Sequence, residues 1–207
     1  MSEDTYLSIE APAEGIYKEK GSKFLAFAYP VRTEEDVKQR LAELHKTYFD
    51  ARHHCYAYRL GAKGERFRAN DDGEPNHSAG DPILGQIKSR NLSDTLVVVV
   101  RYFGGTKLGV SGLIHAYKVA TAEALDVAQV IEKIVTQHLQ VHFDYGQMNE
   151  VMRIIKELDL QILGQTFDNQ CEILLEIRQK QYETAQTRFE KIDGVQLVQP
   201  AAEEDGE

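Results

Sequence analysis

Apolar residues change their spacing several times along the chain, and each change marks a new element. Between Gly15 and Val31, Phe and Tyr gather in two extended segments, Ile16–Lys20 and Lys23–Pro30, joined near Gly21-Ser22. Val37, Leu41, Leu44 and Tyr48 then recur at helical spacing. Thr33 offers an N-cap, and Glu34, Glu35 and Asp36 put negative charge at the positive end of the dipole, which predicts a helix over 34–48. His53–Leu60 alternates like a strand, and the polar stretch 61–75 reads as a loop long enough to carry function. Asp81-Pro82 fits an N-cap with a first-turn proline, opening a short helix to about Arg90. Thr95–Arg101 is a β-branched run without polar alternation, hence a strand covered on both faces. After a glycine loop, 110–127 is a helix whose Ala116, Ala120 and Ala124 allow close approach to a sheet.

The pattern shifts near Glu132-Lys133. Strand 134–143, helix 147–158, strands 161–167 and 172–178 joined by Asp168-Asn169-Gln170, helix 181–192 and strand 195–198 follow in turn. That βαββαβ order is a ferredoxin-like unit. The expected fold class is therefore α+β with two domains, 14–130 and 134–200. The polar residues 1–13 and the acidic residues 201–207 are expected to be disordered.

Composition narrows the functional classes. With 207 residues, 42% of them apolar and 28% charged, the chain can bury a core in each domain. It has no apolar run near the ~20 residues a membrane helix needs, and its acidic start lacks the pattern of a signal peptide; no membrane role and a cytosolic location are expected. Cys55 and Cys171 fall in separate predicted domains, outside any metal-binding spacing, so neither a disulfide nor a zinc site is expected.

Charge is uneven. Residues 52–118 hold 10 Lys/Arg against 6 Asp/Glu, a balance of +4, whereas the whole chain is −9, leaving −13 elsewhere. A basic, aromatic and glycine-rich island in an acidic protein points to a surface for an anionic ligand. Within it, Gly104-Gly105-Thr106-Lys107-Leu108-Gly109 links a buried strand to a helix, with Arg101 close by. Such a loop can cradle phosphate or carboxylate with its backbone N–H groups, or simply permit a tight turn. It matches neither the P-loop nor the dinucleotide fingerprint. Strand alternation places Arg52, His54, Tyr56 and Tyr58 on one face, suited to stacking on bases and meeting phosphates if open, or to packing if a helix covers it. Cys55 faces the other way with His53, which has no evident orienting partner; a buried thiol is the expectation. Asp71, Asp72 and Glu74 form either a natural turn or an oxygen site for Mg²⁺, and the turn is favoured.

Three motifs also resemble a known family. Arg52-His53-His54-Cys55-x-Ala57 comes first. Asp71-Asp72-Gly73-Glu74-Pro75 follows, with Ser78-Ala79-Gly80-x-Pro82-Ile83-Leu84. The third is Val99-Val100-Arg101-Tyr102-Phe103-Gly104-Gly105-x-Lys107-Leu108-Gly109, continued by Gly112-Leu113 and Ala116-Tyr117. In this order they resemble the IMPACT family, in particular its bacterial YigZ branch. The resemblance implies an N-terminal β/α domain like one found in a small-subunit ribosomal protein and in elongation factor G, followed by a ferredoxin-like domain. It also implies kinship with eukaryotic translational regulators, which bind the activator of an initiation-factor kinase and restrain that kinase in nutrient stress.

The expected function is a non-enzymatic, cytosolic binding module linked to translation that engages RNA, the ribosome or a translation factor, without cofactor or metal. Arg52, Arg101, Lys107 and Lys118 are expected to meet phosphates, and His54, Tyr56 and Tyr58 to line the face. Gly104, Gly105 and Gly109 are expected to allow close backbone approach. Two alternatives stand beside it. One is an enzyme acting on a small phosphorylated or carboxylated substrate through Asp71, Asp72, Glu74 or His54; the other is a regulator that recruits protein alone.

Overall fold

The computed structural model describes residues 4–168 and 170–199. They divide into two compact units, one of Tyr6–Lys133 and one running from Ile134 onward together with the residues up to Thr5.

The first unit is organised by β6 (Thr95–Tyr102). It lies at the centre of an antiparallel sheet of order β2-β3-β6-β4-β5, with β2 (Ala13–Glu19), β3 (Ser22–Pro30), β4 (His53–Leu60) and β5 (Arg66–Asn70). Its apolar run has no polar alternation because both sheet faces are covered. Val97 and Val99, with Cys55 and Ala57, lie under α2 (Gly80–Ser89) and α3 (Gly109–Val127). Leu96, Val98 and Val100, with Phe27, Tyr58 and Leu60, lie under Val37 and Leu44 of α1 (Glu34–Thr47). Full burial of each such aliphatic chain is worth about 1.5–3 kcal/mol, so this double cover dominates the unit's stability. Since β3 and β4 both pair antiparallel with β6, they run parallel to each other, and α1 makes the crossover between them. That helix starts where the sequence predicts: Thr33 Oγ1 accepts from Asp36 N–H at 3.0 Å, and the Asp36 carboxylate accepts from the N–H groups of Thr33 (3.0 Å) and Arg32 (2.8 Å).

The second unit carries β8 (Thr136–Phe143), α4 (Met148–Glu157), β9 (Gln161–Phe167), β10 (Cys171–Arg178), α5 (Gln179–Glu190) and β11 (Gln196–Val198). Its sheet order is β11-β8-β10-β9, in which the fourth strand lies beside the first and the third beside the second. This is the ferredoxin-like arrangement. On β10, Cys171, Ile173, Leu175 and Ile177 are buried with Val151, Ile155 and Phe189 of the two helices, while the residues between them stay half-exposed. The same unit holds Asp4, whose buried carboxylate takes a hydrogen bond from Arg178 Nε at 3.0 Å.

Four sequence expectations need correction. Part of the segment expected to be loose forms β1 (Thr5–Ile9), paired with β7 (Val130–Ile134) in a two-stranded sheet. The strand expected over 134–143 begins only at Thr136, because the preceding residues belong to β7. The polar stretch 61–75 contains the edge strand β5, whose Arg66, Phe67 and Arg68 are exposed and so lack strand alternation. Finally, α2 starts at Gly80, and its first N–H groups are capped by Asp71 rather than Asp81. The expected disorder of residues 1–3 and 201–207, and the turn position Asn169, lie outside the described residues. Among the described residues, no helix is long and apolar enough to cross a membrane.

Candidate functional site

At one end of the first unit's sheet, β3, β6 and β4 bring Phe24, Arg101 and His53 side by side in register on the α3 face. The N-terminus of α3 begins there, and between them opens a cleft of about 460 Å³. One wall is apolar, with Pro75, Phe103, Leu108, Val110 and Leu113; the rest is polar, with Arg52, His53, Glu74, Arg101 and Lys107.

Arg101 anchors the floor. It is 6% exposed, and its Nη1 donates to Glu74 Oε1 at 2.5 Å. The same carboxylate oxygen accepts from Tyr117 OH at 2.8 Å. The Cys55 thiol donates to the Asp71 carbonyl at 3.0 Å and lies 3.3 Å from the Tyr117 hydroxyl. Burial first, then the Glu74, Asp72 and Asp71 charges, push the thiol far above its usual range, against the lowering effect of the Tyr117 hydrogen bond; it is an inert core group. The Arg101 guanidinium stands 5.5 Å from the Phe24 ring centre and 5.7 Å from that of Phe103, and its Nε is buried without a partner. Glu74 neutralises one charge of the cleft. Arg52 and Lys107 are exposed and have no ion-pair partner among the described residues, so the opening remains positive.

His53 is held in one tautomer. Its Nδ1 lies 2.7 Å from the Asp72 carbonyl oxygen, an acceptor only, so Nδ1 carries the proton and Nε2 of the neutral ring is left as an acceptor. The orienting group that the sequence did not reveal is therefore a backbone carbonyl.

The predicted site residues do not share one patch. Arg52, Arg101, Lys107 and Gly109 line the cleft, and so does Glu74. His54, Tyr56 and Tyr58 point to the opposite sheet face. There α1 buries His54 (3% exposed) and Tyr58 (5%), and the His45 ring packs on His54, tilted by 36° with ring centres 3.9 Å apart. Burial, then the neighbouring His45, lowers the His54 pKa. Lys118 is exposed on α3 outside the cleft.

The glycines differ in role as well. Gly104 lies so close to the Gly21-Ser22 turn that any Cβ would strike its backbone, and its N–H donates to Ser22 Oγ at 3.2 Å. It is a packing residue. Gly105 and Gly109 have left-handed φ of 88° and 72° with open space around them, and only Gly109 lines the cleft.

The acidic cluster is a turn. Asp71 accepts from the N–H groups of His77 (2.8 Å), Ala79 (2.9 Å) and Gly80 (2.8 Å). Burial acts to raise its pKa, but these donors outweigh it and hold the carboxyl below its ordinary value. Asp72 accepts from His54 N–H at 2.6 Å. Both carboxylates are thus committed to backbone, and no group of three or more His, Cys, Asp and Glu stands ready for a metal among the described residues. Of the four residues named for the enzymatic alternative, only Glu74 reaches the cleft.

Sequence reasoning missed Phe103 and the Leu108–Val110–Leu113 wall, and it dismissed His53. The parity linking His53 to Arg101 is visible only once β4 and β6 are in register.

Taken together, these features define a two-domain α+β protein with an open, partly cationic cleft in its first unit and a ferredoxin-like second domain. The Impact N-terminal domain family model matches residues 20–125, a span that contains the whole cleft, and the chain belongs to the IMPACT family. It is 34% identical over 153 residues to the IMPACT family member YvyE of Bacillus subtilis (strain 168), covering 74% of this chain and 70% of that one. An IMPACT family member of Haemophilus influenzae is 31% identical over 183 residues, 87% of this chain and 89% of that protein. A crystal structure described as a hypothetical protein shares the fold, with a TM-score of 0.73 over 97% of this chain and 99% of that chain at 24% identity.

Proposed function

We propose that this chain is a cytosolic binding module of translation control, and that its cleft face engages RNA, free or within the ribosome. The observation that carries this reading is the convergence of Arg52, Lys107 and the α3 N-terminus on one opening beside an exposed aromatic ring, Phe103. Unpaired cations supply attraction to phosphate, and the ring offers a stacking surface tolerant of base identity. Membership of the IMPACT family, with its implied kinship to translational regulators, supports the biological setting.

The test uses Arg52→Ala/Lys107→Ala. Arg101 is unsuitable, because its removal strands Glu74 and destabilises the fold as well as weakening binding. Single-stranded RNA affinity should fall with salt, and the double variant should flatten the log–log slope by roughly 0.7 per lost phosphate contact. An affinity indifferent to salt, or a slope equal in both proteins, overturns the reading. A protein-only partner is the second reading, favoured by the exposed apolar rim of Phe103 and Val110; it predicts captured partners that survive nuclease.

A further inference from the structure

We infer that the cleft is built for one nucleoside monophosphate unit, either free or as the phosphorylated end of an RNA, rather than for the interior of a strand. This rests on the nucleic-acid reading above and narrows it.

Size comes first. A volume of about 460 Å³ lies within the range of roughly 300–1,000 Å³ typical of single small-molecule sites. Grooves that track a single strand hold about 4–16 nucleotides per domain. A site of one-molecule size accommodates one unit of such a strand.

The lining is divided as a nucleotide is. Pro75, Phe103, Leu108, Val110 and Leu113 form an apolar wall suited to a base, and Phe103 keeps 55% of its surface exposed. Arg52 and Lys107 supply positive charge that no carboxylate pairs among the described residues. The helix α3, 19 residues long, opens beside them with Leu108 at its N-cap. No side chain caps it, and its first turn holds no acidic residue. The N–H groups of that turn need an acceptor, and the dipole favours a negative one. Gly109 presents no Cβ there, and the space around it is open.

A second observation is independent of the helix. Arg101, 94% withdrawn from solvent, lines the same cleft; Glu74 accepts from its Nη1 and two rings flank its guanidinium, while its Nε has no hydrogen-bond partner among the described residues. A buried guanidinium nitrogen without an acceptor is costly unless a ligand supplies one. A phosphate dianion brings three acceptor oxygens and can serve the helix N-terminus, Lys107 and Arg52 together, above a floor held by Arg101. A phosphodiester inside a strand carries one charge and two free acceptor oxygens, and so satisfies fewer of these donors than a terminal phosphate does.

The test is calorimetric and competitive on the full chain. Probes are a nucleoside monophosphate, the matching nucleoside, and a short single-stranded RNA with or without a terminal phosphate at each end. Phosphorylated probes should bind at one site and displace one another, and loss of the terminal phosphate should weaken binding tenfold or more. Lys107→Ala and Phe103→Ala should each weaken phosphorylated probes several-fold, while Lys38→Ala, on the far side of the sheet, should not. Equal affinity for free nucleotide and RNA end identifies the free nucleotide as sufficient; tighter binding of the RNA end identifies the RNA. Salt-dependent RNA binding that ignores the terminal phosphate overturns this inference and leaves the RNA reading standing. No binding of any probe overturns both.

Discussion

Arg101→Met is the sharpest probe of how the cleft floor is held. Arg101 and Glu74 have side-chain exposures of 7% and 4% and meet at 2.5 Å. Removing the arginine leaves a buried carboxylate with one remaining donor, Tyr117 OH at 2.8 Å. Breaking a buried pair from one side costs about 3–5 kcal/mol, and the surviving tyrosine hydrogen bond places this case near the lower end. Glu74→Gln keeps an acceptor for Tyr117 but strands the guanidinium. In Arg101→Met/Glu74→Gln neither charge is left alone, so the double change should cost less than the sum of the singles by about 2 kcal/mol. Urea unfolding followed by far-ultraviolet circular dichroism measures this. With slopes of about 1–3 kcal/mol/M, Arg101→Met should lower the midpoint of one transition by about 1–3 M. Only the unit of residues 6–133 should respond, since both groups lie in it. Singles that add to the double within about 0.5 kcal/mol would refute the claim that Glu74 and Arg101 neutralise each other.

Gly104→Ala should destabilise the first unit by several kcal/mol, because the new methyl strikes the Gly21-Ser22 backbone; Gly105→Ala, with open space and only a positive φ to strain it, should cost about 1 kcal/mol, and thermal melts would rank the two. His54 titrates below its ordinary range in the folded protein, so the unfolded chain binds its proton first as pH falls. Stability should therefore decline from about pH 6.5 down to the folded pKa and level off beneath it. His54→Leu should remove that part of the decline in melts run from pH 7.5 to 5.

Much of the fold could be read from periodicity. β6 declared itself through its unbroken β-branched run, and the second unit through six elements whose periods follow the ferredoxin order. What escaped had its cause outside the local segment. Arg66, Phe67 and Arg68 form an edge strand exposed to water, so nothing in their pattern marks them as strand. Thr5–Ile9 is held by β7, far along the chain. The side on which His54, Tyr56 and Tyr58 lie followed correctly from alternation, but whether that side was open depended on where α1 settled. Asp71 and Asp72 read as a turn and are one, yet their real partners are N–H groups of α2 and β4. The cleft was half legible. Its cations stood out as a charge cluster, while its apolar wall resembled any other helix start.

The salt link from Arg178 to Asp4 bears on how this protein can be cut apart. A fragment excised from residue 134 onward would leave behind the carboxylate that Arg178 grips and the Asp4 carbonyl that accepts from Val135 N–H at 2.8 Å. The C-terminal module is thus discontinuous in sequence: its missing piece is stored at the opposite end of the polypeptide. Anyone expressing it alone should graft that short N-terminal tab back on.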